Sequence, residues 1–327
     1  MLTFAKKPIF EEGSRALFEK ATRERKLLDQ QARALRIAFN RYVSGLRRDP
    51  RVADFLEAND LWGVDAVIVA HVAAFANVFA AVFTDAASAV VAHHAPRLVR
   101  KATPQVGVSF DPLDERAAAL MRSNRLNAIT NLGNQQRTII RAALVRGLQQ
   151  GLGPVAMARQ FRNSIGLTDQ GERALQTFER TLTAARTEAL DLPIDERGPV
   201  LTPSEIEARV DTKRTQLLQA RAEVISRTES LKIVGQAQEE ALRQSLEQTG
   251  MSERLTGKEW QSTDDGRTRD SHAARNGARR RLNEDFAPGI GKPGDGGPGE
   301  AISCRCVLTF EFFDTEPELE RWISGGS

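Results

Sequence analysis

Cysteine, tyrosine and tryptophan are scarce in this 327-residue sequence. It has two cysteines, one tyrosine and three tryptophans. Cys304 and Cys306 stand one residue apart, a spacing at which Cα separation and side-chain direction rarely allow a disulfide. A disulfide framework is therefore excluded, and a reducing compartment is expected. The opening residues, MLTFAKKPIFEEGSR, lack the long apolar core of a signal peptide. No P-loop, Ser or Cys nucleophile motif or metal-binding carboxylate cluster is present, which removes the commonest enzyme readings. Repeats at solenoid spacing and sustained heptads are missing too.

The net charge is only +3, but it is unevenly spread. Met1 to Arg48 carries 12 Lys and Arg against five acids. A basic end segment suits an acidic partner, either nucleic acid or an acidic protein face. Without interleaved aromatics, a solvated helix surface is the preferred reading over sequence-specific DNA binding. Ala66 to Thr84 has the opposite character: 19 residues without a charge, long enough to cross a bilayer. The run is alanine-rich and has no aromatic belt at both ends, so a helix buried within a helical domain or assembly is expected rather than a membrane span.

The first four-fifths of the chain reads as helix. Apolar residues at helical spacing predict a helix over 11–45, ended by Arg47-Arg48-Asp49-Pro50, and a second run over 52–94 that stops at Pro96. A connector with some β character follows over 103–112, then a helix over 113–150. Gly151-Leu152-Gly153-Pro154 breaks that helix and opens a short one over 155–163. Thr168 or Asp169 would cap a helix over 170–190. After the linker 191–203, Ser204 and Glu207 form an apparent capping box for a helix reaching about 247, interrupted or bent near Gly235.

Beyond Thr249-Gly250 the pattern changes. Residues 257–263 read as a strand around Trp260, and Asp265-Gly266 as a turn. Three prolines and six glycines between Pro288 and Gly299 mark an irregular loop. Residues 301–313 alternate, with Ile302, Cys304, Cys306, Leu308, Phe310 and Phe312 on one face and Arg305, Thr309 and Glu311 on the other, as in a half-buried strand. The expected fold class is α+β: a mostly α-helical N-terminal region followed by a small α+β C-terminal domain with a few short strands. The expected domains are 1–112, basic and apolar helical; 113–200, helical; and 201–327, a long helix with a small β-containing module.

Most of the reactive side chains lie between Trp260 and Cys306. Cys-x-Cys puts two sulfurs on one face, and His272 with an acid such as Asp270 would complete a zinc site. Structural zinc normally needs four good N/S ligands, and this region has one histidine, so small core cysteines are preferred and no metal or cofactor is expected. Asp264, Asp265, Arg267, Arg269, Asp270 and His272 admit an enzymatic reading, with His272 as general base and Asp270 orienting it, or arginines holding a phosphodiester. The alternative is a buried ion-pair network in which Glu229, of Arg227-Thr228-Glu229, partners one of the arginines. The network is expected, and no residue is assigned a catalytic role. The arginine-rich loop 275–281 suits either DNA phosphates or solvent.

In order and spacing these motifs resemble the phage Mu F-like minor head proteins, also called phage head morphogenesis proteins. The carriers are Val224-Ile225-Ser226-Arg227-Thr228-Glu229, Lys258-Glu259-Trp260, Asp265-Gly266-Arg267-Thr268-Arg269-Asp270-Ser271-His272, Asn276-Gly277, Phe286, Pro293-Gly294-Asp295 and Cys304-Arg305-Cys306. One departure is Ser303, where that family commonly has Asn. Members with extra Cys and His hint at a metal, and this chain lacks those residues. About 20 residues follow Cys306, too few for the toxin module some relatives carry. The resemblance implies a minor, non-enzymatic head component of a tailed phage, acting at the portal vertex in procapsid assembly and in DNA packaging or delivery. Its implied partners are portal protein, scaffold or major capsid protein, and packaged DNA through the basic N-terminal region; a membrane partner is not expected. Its implied location is the head interior of the virion, with the host cytoplasm during assembly. Competing readings are a nucleic-acid-acting enzyme centred on His272 and a membrane-active ejection protein using residues 66–84.

Overall fold

The computed structural model describes residues 12–58, 60–101, 107–149, 164–263 and 265–325. The Gly151–Pro154 break, the 155–163 helix, Asp264 and residues 103–106 of the connector lie outside these. The fold is α+β and mostly helical. Its helices are α1 (Glu12–Arg48), α2 (Pro50–Glu57), α3 (Leu61–Ala76), α4 (Val78–Lys101), α5 (Glu115–Gln149), α6 (Asp169–Asp191) and α7 (Pro203–Thr249). The C-terminal part adds β1 (Thr256–Gln261), α8 (Asp270–Ala273), β2 (Arg279–Arg281), α9 (Pro298–Ala301), β3 (Val307–Phe312) and α10 (Glu316–Ile323).

Several boundaries follow sequence chemistry directly. The side chain of Thr168 accepts from Gly171 N and caps α6 as expected. The α7 cap differs from expectation: Thr202 Oγ1 accepts from Glu205 N at 3.2 Å, and Glu205 Oε2 accepts from Thr202 N at 2.7 Å. This reciprocal pair sits two residues before the Ser204–Glu207 pair because Pro203, with no amide to satisfy, fits the first helical position. Helix α7 then runs through Gly235 without interruption. A side chain at Gly235 would crowd Lys292, so this glycine makes room for a loop rather than ending a helix. The expected 52–94 helix is three helices, with α2 and α3 separated at 58–60 and α3 and α4 at Asn77. Pro96 lies inside α4 rather than at its end.

The chain divides into two compact units, each discontinuous in sequence. One contains residues 36–78 and 123–225. Its core includes Phe39, Tyr42 and Phe75, whose ring centroids lie 5.8–6.0 Å apart. A second cluster joins Leu167, Leu175, Ile206 and Val210. The uncharged run lies largely in α3 and α4. Residues 61–100 are long and apolar enough to cross a membrane, by length and composition only. In α3, Val64, Val67, Ile68, Val72, Phe75 and Ala76 are buried, while His71 bonds Asp49 at 2.9 Å.

The other unit contains residues up to 35, 79–122 and 226–327. Its antiparallel sheet has the order β2-β1-β3, with Trp260 opposite Leu308 and Gly257 opposite both Arg281 and Glu311. His94 of α4 stacks edge-on against Phe310 and Phe312 of β3. The described part of the connector, 107–112, forms no strand and pairs with side chains rather than with the sheet. Gln248 bonds both backbone groups of Ser109, and Gln244 does the same for Asp111.

The final alternating segment is the clearest departure from expectation. Strand β3 begins only at Val307, and Cys304 and Cys306 precede it. Pro298–Ala301 forms a helical turn, and Ser303 adopts φ 54° with its amide bonded to Thr228 Oγ1. That left-handed residue breaks the alternation and leaves Ile302 42% exposed.

Candidate functional site

Three segments of the sheet-containing unit bring the reactive residues together. Strand β1 supplies Trp260, the short helix α8 supplies His272, and the turn between α9 and β3 supplies Cys304 and Cys306. Asp265 closes a turn by accepting Thr268 N through its carbonyl, and its carboxylate takes Arg267 N. Arg305 then donates to both Asp265 oxygens at 2.6 and 2.7 Å. This forked pair holds the Asp265 carboxyl down at about 2. It ties the 265–269 turn to the Cys-Arg-Cys segment.

Glu300 is the centre of the network. Its carboxylate accepts from Ser271 Oγ at 3.1 Å, pairs with His272 Nε2 at 2.9 Å and accepts from Arg275 at 2.8 Å. Arg275 and the other donors keep the Glu300 carboxyl below its ordinary range. Arg269 donates to the Ile302 carbonyl at 2.6 Å. Asn276 Oδ1 accepts Ser262 N, and Gly277, at φ 75°, donates its amide to Trp260 O.

On the other side of the imidazole, His272 Nδ1 lies 3.4 Å from Cys304 Sγ and 3.3 Å from Cys306 Sγ. All three residues are at most 3% exposed. The Cys306 amide points to Cys304 Sγ at 3.4 Å. The indole N–H of Trp260 is buried and has no hydrogen-bond partner. The two thiols titrate in opposite directions. Cys306 is drawn down to about 6 by its contact with Cys304 and by His272, while Cys304 is pushed up by Cys306 and by burial.

Trp260 is enclosed by His272 (5.7 Å), Phe286 (5.3 Å) and the Arg275 guanidinium (5.5 Å). Lys258 on the same strand is buried, donates to Gly291 O at 2.8 Å and lies 5.5 Å from the Phe286 ring. Burial lowers its pKa. Asp295 caps the Gly-rich loop by accepting from Gly291 N and Lys292 N.

Of the expected set, Trp260, Asp265, Arg269, His272, Asn276, Gly277, Cys304, Arg305 and Cys306 come together, while Glu229, Asp270 and Arg267 do not. Glu229 forms no ion pair with these arginines among the described residues; burial raises its pKa. Asp270 is exposed at the start of α8, and Glu300 takes the orienting place beside His272. Arg267 projects to solvent, its side chain 83% exposed and 3.8 Å from Asp265. Glu300 is not legible in the sequence because it sits in the single helical turn α9, just after the Gly/Pro-rich stretch, with no local motif around it. The loop arginines are engaged within the unit: Arg275 with Glu300, Arg279 with Glu259 and Trp322, and Arg281 with Glu284, Glu316 and Glu320.

The Glu300–His272–Cys306 chain has the components that activate a thiol nucleophile. Yet the imidazole and both sulfurs are buried. The forked pairs and backbone contacts around them hold three segments in register.

Residues 201–309 match the family model described as Phage Mu protein F like protein. This part of the chain is similar to that family. The matched stretch begins just before α7 and ends within β3, so it contains every residue of the network. Neither a curated protein nor a solved structure matches the chain.

Proposed function

We propose that this protein is a head morphogenesis protein of a tailed bacteriophage, acting as a minor capsid component at the portal vertex during procapsid assembly and DNA packaging or delivery. The observation that carries this reading is the Mu F-like match over 201–309. The geometry is compatible with it: a closed polar network fixes a small module, and the reactive side chains are turned inward. In this reading the module is non-enzymatic. Portal protein is the principal partner, with scaffold or major capsid protein and packaged DNA as further contacts. The protein resides in the head near the portal after assembly in the host cytoplasm.

The test is co-expression with the portal protein of the same phage, followed by sedimentation of procapsids with and without this protein. Co-fractionation with portal and heads is expected, with altered packaging or infectivity when the protein is missing. A protein that never co-fractionates with portal or heads overturns the reading.

A further inference from the structure

We propose that His272 Nδ1, Cys304 Sγ and Cys306 Sγ form a binding site for a single zinc ion. The three donor atoms lie within 4.8 Å of one another. Zinc–sulfur and zinc–nitrogen bonds of about 2.3 and 2.0–2.1 Å at tetrahedral angles separate S from N by about 3.6 Å. The observed 3.3 and 3.4 Å fall a few tenths short, so an ion enters with a small outward movement of two thiols.

The surroundings are those of a metal-bound pair of thiolates. Glu300 holds Nε2 of the imidazole, which orients Nδ1 as the ligand; a carboxylate behind a ligating histidine is the usual outer-shell partner. The Cys306 amide is also directed at Cys304 Sγ, at 3.4 Å. Charge balance points the same way. Two thiolates and a neutral imidazole neutralise a divalent cation, so the filled site can be buried without the penalty of an isolated charge. Thiolate with imidazole selects zinc over the hard cations calcium and magnesium. The three protein donors leave one vertex of the tetrahedron for water.

Counting ligands along the sequence argues against a metal, because the region has a single histidine. The fold changes that argument by turning Cys304 and Cys306 out of the strand and onto that histidine. Binding links α8 to the segment entering β3, and it stands independently of any role in head assembly.

The test uses the full chain, purified reduced, without chelators or a polyhistidine tag. Elemental analysis is expected to find one zinc per chain. After zinc removal, anaerobic cobalt(II) titration is expected to give a thiolate-to-cobalt charge-transfer band that zinc abolishes. Cys304→Ser and His272→Gln are expected to lose the ion. Should either variant fail to fold, the wild-type cobalt titration decides. Glu300→Gln is expected to keep the band while weakening zinc affinity about 10–100-fold in competition with a chromophoric chelator. A wild-type protein that carries no zinc and gives no cobalt band overturns the proposal and leaves a hydrogen-bonded thiol–imidazole cluster.

Discussion

Gly257 in β1 lies directly against the indole of Trp322 in α10, leaving no room for a side chain. A β-carbon at this position would overlap the six-membered ring. The glycine is therefore a packing requirement inside a strand, where glycine otherwise weakens the ladder. Gly257→Ala is expected to cost about 1–3 kcal/mol, as overpacking of a fixed contact does. Urea denaturation measures it. Trp322→Ala should relieve part of this cost, so the double variant is expected to be less destabilised than the sum of the single ones. Additive effects would show that the two residues do not meet.

Ser303 is the described non-glycine residue with positive φ, at 54°. The left-handed region disfavours most side chains, and Asn tolerates it better than Ser. Ser303→Asn and Ser303→Gly are expected to raise stability by up to about 1 kcal/mol, and Ser303→Val to lower it. Thermal melting distinguishes these outcomes. A gain from Val would contradict the observed backbone.

Much of this architecture was legible because it rests on local chemistry. The 3.6-residue period gave α1, α5 and α6 to within a few residues, and Thr168 marked its cap. The Asp265-Gly266 turn and the strand around Trp260 were equally local. What was missed depends on contacts distant in sequence. Glu300 reaches Ser271, His272 and Arg275 across 25 to 29 residues from a single helical turn too short to show a periodicity. Thr228 bonds the Ser303 amide from 75 residues away, helping to hold the break in an alternating pattern that otherwise reads as one strand. His272, Cys304 and Cys306 stand out in the sequence, but the way the cysteines turn toward His272 does not.

Arg221 is a buried cation solvated by carbonyls. It donates to the carbonyl oxygens of Gly166 and Leu167 and to Gln135 Oε1, and its guanidinium lies 5.9 Å from the Phe39 ring. Burial lowers its pKa to about 10, leaving it charged at neutral pH. Arg221→Leu would orphan these acceptors and is expected to cost about 3 kcal/mol. Arg221→Lys should recover little of the loss, because an ammonium cannot reproduce the planar fork that serves the carbonyls and Gln135 together. Full rescue by Lys, read from denaturant midpoints, would show that charge alone matters here.

Glu24 gives stability a pH dependence of the opposite sign to most carboxylates. Burial pushes its pKa up to about 7, against the opposing effects of Arg23 and the Gln238 hydrogen bond. Between its ordinary value near 4.5 and about 7, the folded state binds a proton that the unfolded state has released. Stability contributed by this group is therefore present at low pH and falls as pH rises through that window. Glu24→Gln removes the dependence and keeps a hydrogen-bonding group beside Gln238. The variant is expected to match the parent near pH 4.5 and to exceed it at pH 8, by an amount on the order of 2 kcal/mol. Denaturant midpoints measured across this range test the sign. A variant less stable than the parent at pH 8 would show that Glu24 is held ionised by its partners, with burial the lesser influence.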